Sequence, residues 1–313
     1  MSRSGQAYRV DFSQPAGEPS LVPPDSPQWR VLKNPVAMAV GGVAAVLFEF
    51  ADARIRSGVW DHSTFSTDPV TRSQRTGVAA MAGVYGPVSA ARRIIAGVNR
   101  MHVKVVGQTP DGEPYAALTP ELLDWVSATA GYSFLEAYHR FVAPVSAGDR
   151  LRYYRDGEAV ARLYGVRHPL TSDADFFAML SRLSPRFEPH QINSDFLAIV
   201  VSGRAAPTVP KIVRMAAVRA AVSILPPELR HCLQLGPEFE MRDIDRRIIC
   251  VAGWLADRIR SSASPSWQSA IRLGLPGNFA WLSSARQQRL LAARAGSTVG
   301  TERKPVEMAE QRE

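Results

Sequence analysis

Helix punctuation recurs along this chain, and it constrains the fold more than any other feature. A short polar side chain satisfies the first free N–H groups of a helix, and a proline in the first turn sacrifices no hydrogen bond. Asp68-Pro69 therefore opens a helix that runs to Gly86-Pro87, which closes it and starts the next, ending near Gly107. A turn follows at Thr109-Pro110-Asp111-Gly112. Thr119-Pro120-Glu121 begins another helix, with Leu122, Leu123, Trp125, Val126, Phe134, Leu135 and Tyr138 at helical spacing. Ser146 with Asp149 has the pattern of a capping box and precedes a helix through Leu163. Further helices are predicted at 172–183, 191–202, 209–225 and 241–261. Alternating strand patterns are absent, and short runs such as Ile199-Val200-Val201 fit a helix equally well. These signals predict an all-α fold, a single large multi-helix domain of about ten helices.

Composition narrows the class. Of 313 residues, 46% are hydrophobic and 21% charged, values of a globular chain rather than a disordered one. Residues 1–28, with Pro15, Pro19, Pro23, Pro24 and Pro27, show no periodicity, and residues 291–313 end in a charged stretch; both are read as solvated tails around a domain of 29–290. The run from Asn34 to Phe48 is uncharged but closed by Glu49, too short for the roughly 20 residues that span a bilayer, so a buried core helix is expected there. Asp11, Glu18 and Asp25 interrupt any secretory signal, which places the protein in the cytoplasm. Cys232 and Cys250 are too far apart for a Cys-x-x-Cys pair and are read as core thiols.

The net charge of +8 comes from arginine, with lysine only at Lys33, Lys104, Lys211 and Lys304. A GC-rich bacterial genome gives that bias, and so does a need for guanidinium forks that grip carboxylates or phosphates. A nucleic-acid reader gathers positive charge on one face with stacking aromatics between; here Arg and Asp/Glu alternate throughout, so no nucleic-acid partner is expected. A nucleophile elbow, a phosphate-binding glycine loop and a dinucleotide fingerprint are all missing.

The stretch from His62 to Gly107 is where chemistry concentrates. Arg72 and Thr76 share a helix face with Arg75 beside them, while Gly77, Ala79, Ala80, Ala82 and Gly83 keep the same helix thin. The next helix is built alike, with Ala90, Ala91, Ala96 and Gly97, and presents His102 near its end. Two thin helices pack face to face or hold a flat ligand between them; periodicity does not choose. A histidine on such a face is a common proximal ligand of haem iron, and nearby arginines pair with propionates. The plainer reading makes His102 a C-terminal cap against the helix dipole, Asp61-His62-Ser63 a polar turn, and Arg72 and Arg75 a solvated face.

The ordered set His62-Ser63-x-Phe65, Asp68-Pro69, Arg72-x-x-Arg75-Thr76, Tyr85-Gly86, His102-x-x-Val105-x-Gly107, Asp111-Gly112-x-Pro114-Tyr115 and Leu122-Leu123-x-Trp125-Val126 closely resembles the MpaB-like oxygenase family, which includes the latex-clearing rubber oxygenases. The resemblance is strongest over residues 34–165 and continues more weakly to about 255. It implies a b-type haem in a globin-related helical core and dioxygen as co-substrate, directed at a carbon–carbon double bond of an isoprenoid-like or other hydrophobic substrate. It implies His102 as the proximal metal ligand and Arg72 and Thr76 as haem neighbours. His62 and Arg75 are the candidate distal donors that would stabilise negative charge on oxygen. Arg75 stands where the rubber oxygenases have lysine, Val106 where they have an arginine, and Ser127 where many relatives have a histidine. The departure at Val106 bears on the substrate rather than the haem, and no role is placed at Ser127. An electron donor of unknown kind and peripheral membrane contact complete the expected partners.

Two rival readings stay open at this level. Glu136-x-x-His139 and Glu228-x-x-His231 have the pattern of a di-iron carboxylate bundle, with Glu49, on an otherwise apolar helix, as a further carboxylate. A non-catalytic haem-binding helical protein is the other.

Overall fold

A computed structural model describes residues 10–62, 68–204 and 206–301. The order of helices is α1 (Pro27–Leu32), α2 (Pro35–Phe50), α3 (Ala53–His62), α4 (Pro69–Tyr85) and α5 (Val88–His102), then strands β1 (Val106–Gln108) and β2 (Pro114–Ala116). It continues with α6 (Pro120–Phe141), α7 (Ala147–Leu163), α8 (Asp173–Leu183), α9 (Gln191–Ser202) and α10 (Lys211–Ile224). Last come α11 (Pro227–Cys232), α12 (Asp243–Arg258), α13 (Pro265–Arg272) and α14 (Ser284–Thr301). The fold is all-α, with fourteen α-helices and one two-stranded antiparallel hairpin among the described residues.

The core is built on α2 and α6. α2 carries one charge, Glu49, and buries eight of its residues, among them Val40, Leu47, Phe48 and Phe50. Asn34 caps it by accepting from the Val36 and Ala37 N–H groups, each at 3.0 Å. α2 lies hard against α6: a Cβ on Gly41 would stand 2.8 Å from the Phe134 Cα and 2.9 Å from the Ser133 carbonyl. Only glycine admits that approach. Further along, Phe48 meets Trp125, Tyr132 and Phe176 edge-on at 6.3, 6.2 and 5.3 Å, and Tyr132 stacks on Phe176 at 4.0 Å. α10 and α12 close the far side of α2, and α12 also packs on α6.

The described part of the N-terminal stretch, read from sequence as a tail, lies against this body from residue 10 onward. Arg272 of α13, only 2% exposed, donates to the carbonyls of Phe12, Glu18 and Tyr85 at 2.7, 2.9 and 2.8 Å and to the Ser20 hydroxyl at 2.6 Å. At the other end α14 runs to Thr301, past residue 291. Cys232 and Cys250 are free thiols, half-buried rather than fully enclosed.

A candidate active site between two helix pairs

α4 and α5 pack on each other and on α7, and α4 also on α1 and α13, yet neither lays its backbone closely on α2 or α6. The space between these pairs is where the chemistry-bearing residues meet. On one side, α2 buries half of its residues and keeps Ala39, Gly42, Val46 and Glu49 accessible along one stripe. The neighbouring stripe of α6 is Val126, Ser127, Ala130 and Phe134. From the accessible surface of these side chains and of Ala80 on α4 we infer a slot between the helices, with mainly apolar residues along it.

Opposite, α4 begins where the Asp68 carboxylate accepts the Thr71 N–H at 3.1 Å, with Pro69 in the first turn. One turn on, the half-buried Arg72 guanidinium donates to the Thr76 hydroxyl oxygen, and that hydroxyl donates to the Arg72 carbonyl at 3.1 Å. Thr76 thus holds the Arg72 side chain along α4. The Arg72 charge reaches two groups on other helices: it favours the ionised form of Glu49 and the neutral form of His102.

His102 is the last residue of α5 and half-buried. Its Nδ1 is enclosed and has no hydrogen-bond partner among the described residues, so that nitrogen does not cap the end of α5. Burial, and then the Arg72 charge, hold the imidazole pKa below its usual value, which keeps the ring neutral at pH 7. A neutral imidazole with a buried, unpartnered nitrogen is the form in which histidine ligates a metal.

Glu49 lies deep in the molecule yet retains accessible surface, as expected of a residue lining an internal space. Burial pushes its carboxyl pKa up to about 7, against the opposing pull of the Thr129 hydroxyl and Arg72. Thr129 Oγ lies 3.2 Å from Glu49 Oε1 and 3.0 Å from the Val126 carbonyl. Its single proton serves one acceptor at a time. It goes to an ionised Glu49, or to Val126 while a protonated Glu49 donates to Thr129.

Of the residues singled out from sequence, Arg72, Thr76 and His102 come together here. Arg75 is exposed and lies toward the start of α4, where its charge lowers the Asp68 pKa. His62 is exposed at the end of α3, its ring 6.2 Å from that of Tyr115 on the hairpin. No described contact joins it to Arg72 or His102. Ser63 and Phe65, which follow it in the motif, lie outside the described residues. Glu49 and Thr129 are the members that pattern reading did not attach to this site. The available signal was the lone charge on α2.

The di-iron set is not assembled. Glu136 is held by Arg140 at 2.6 Å and Arg150 at 2.8 Å, and Arg150 also pairs with Asp173. His139 Nδ1 accepts the Val145 N–H at 3.0 Å. Glu228 and His231 sit on the short α11, and Glu49 faces Thr129. Among the described residues no three His, Cys, Asp or Glu side chains are grouped to hold a metal ion. That does not bear on a single axial histidine.

No curated protein and no solved structure matches the chain. Residues 29–256, which include α2, α4, α5 and α6 and so every residue of the slot, match the family described as ER-bound oxygenase mpaB/B'/Rubber oxygenase, catalytic domain. An oxygenase uses dioxygen, and the chain belongs to this family of oxygenase catalytic domains.

Proposed function

We propose that this chain is a haem-b-dependent oxygenase that directs dioxygen at a carbon–carbon double bond of a hydrophobic, isoprenoid-like substrate. The observation that carries the reading is His102, neutral, with a buried ring nitrogen that no group among the described residues satisfies, at the edge of the inferred slot between helix pairs. These residues fit a haem: a neutral imidazole that would hold the iron, a cation that would meet a propionate, and small side chains that would lie beside a planar ring. When bound, the haem iron supplies the site at which dioxygen is activated.

The rest is the work of side chains on this chain. One nitrogen of His102 would hold the iron, and its other nitrogen then needs an acceptor to fix the ring. Arg72, fixed along α4 by Thr76, offers charge-assisted donors to a propionate or to negative charge that develops on oxygen during attack. Glu49, with its pKa near 7, is populated both as acid and as base at neutral pH and can take a proton from the substrate and return it. Thr129 follows that change by switching its hydroxyl between Glu49 and Val126. Ala39, Gly42, Val46 and Ala130 line the slot with apolar surface, which favours an alkene chain over water. His62 and Arg75 stay candidates for a distal role only through movement, since both are exposed here.

The test is incubation of haem-loaded protein with an isoprenoid alkene under ¹⁸O₂, with products analysed by mass spectrometry. Labelled carbonyl ends that disappear in Arg72→Ala and Glu49→Gln support the reading. A stable haem complex that yields no labelled product from alkenes of any chain length shows a haem-binding protein instead.

A further inference from the structure

The outer face of α12 exposes several large apolar side chains. Ile244, Val251, Trp254 and Leu255, with Ile259 at the C-cap, are each at least half exposed. Residues 244, 251 and 255 fall on one side of a helix with 248 between them and 254 alongside. The opposite side, Asp245, Ile249 and Gly253, is buried against the protein, and a Cβ on Gly253 would lie 2.6 Å from the Phe141 carbonyl. The helix cannot rotate to hide its apolar stripe. Scattered exposed leucines need no explanation, but a continuous stripe of this size does.

Charge frames the stripe. Asp245 is neutralised by Arg219 and Arg242, and Asp257 by Lys33. That leaves Asp243 with three exposed arginines on this side, Arg247, Arg258 and Arg260. Arg258 lies over the Trp254 ring at 3.6 Å, so an aromatic body and a cationic head form one amphipathic unit at the surface. A second copy of the chain seated on this face would bring the same arginines together, which like-charge repulsion opposes. Apolar side chains ringed by arginine are complementary instead to an apolar layer beneath anionic headgroups. No helix of the described residues is long and apolar enough to cross a membrane, so such contact would be lateral.

We propose that the outer face of α12 docks on an anionic lipid bilayer, with Ile244, Val251, Trp254, Leu255 and Ile259 entering the headgroup region and Arg247, Arg258 and Arg260 meeting lipid phosphates. The surface is separate from the slot, and the proposal holds whatever the slot binds.

The full chain is mixed with vesicles of phosphatidylcholine alone or of phosphatidylcholine with phosphatidylglycerol, and binding is read by co-sedimentation. Binding to the anionic vesicles only, reversed by high salt, is expected. Arg247→Gln/Arg258→Gln should weaken it by about 25-fold, from roughly fivefold per arginine near an anionic surface. Val251→Asp/Leu255→Asp should abolish it while the far-ultraviolet circular dichroism stays unchanged. Brominated lipid should quench the tryptophan fluorescence of the parent and not of Trp254→Phe. Equal binding to neutral vesicles, no binding to either, or a dimer in light scattering that Val251→Asp/Leu255→Asp dissociates would each overturn the proposal.

Discussion

Glu49→Gln removes one ionisable group from the slot, and its effect on stability has a definite sign. An ordinary glutamate protonates near 4.5, while burial raises Glu49 to about 7. Between those values the native state holds a proton that the unfolded chain has released, so stability falls as pH rises through the window. The contribution is fully present below about 4.5, is lost progressively up to about 7, and changes little beyond. At about 1.4 kcal/mol per pH unit, that interval corresponds to about 3 kcal/mol. The substituted amide cannot ionise and escapes the loss, so the variant should gain on the parent by about 2–3 kcal/mol between about pH 5 and pH 8. Urea denaturation of both proteins without cofactor, followed by circular dichroism at several pH values, measures the difference, and titrations of all other groups cancel in it. A difference that does not change with pH would show that Glu49 is ionised throughout, and the account of its burial would fail.

Other substitutions test the packing around the slot. Gly41→Ala drives a Cβ into the backbone of α6 and should cost about 1–3 kcal/mol. Gly42→Ala, whose nearest neighbour is Phe134 Cε1 at 3.9 Å, should instead gain about 0.5–1 kcal/mol from helix propensity; urea denaturation compares the two. Thr129→Val removes the hydroxyl that favours ionised Glu49, so the upper end of the pH window in the Glu49→Gln comparison should extend upward, with its lower end unchanged, when it is repeated with Thr129→Val in both proteins. Arg272→Met leaves the half-buried carbonyls of Phe12 and Glu18 without their donor and should cost roughly 3 kcal/mol. Limited proteolysis should then cut within residues 10–26, which the parent protects.

Much of the helical frame was legible because helix ends are local chemistry. Asp68-Pro69, Thr119-Pro120 and Ser146 each open a helix at the expected residue, and Gly112, at φ +85°, sits in the turn predicted from Thr109-Pro110-Asp111-Gly112. The hairpin around that turn was not legible, since strands of three residues are too short for alternation to register. Residues 10–26 gave no periodic signal because what holds them is Arg272, far along the chain. The site divides in the same way. Arg72, Thr76 and His102 are marked by spacing within one stretch, whereas Glu49 and Thr129 join them only through the packing of α2 on α6. The lone carboxylate on an apolar helix marked Glu49 as unusual, but its partners could not be read from the chain.

Haem uptake by His102→Ala bears most directly on the account. Parent protein without cofactor, titrated with haemin, should develop a Soret band that shifts on reduction and again under carbon monoxide, as an axial imidazole with an open opposite position requires. His102→Ala should lose affinity and show an altered spectrum, with added imidazole restoring the parent's bands. Equal affinity and the same spectrum in the variant would contradict the assignment of His102 as the iron ligand.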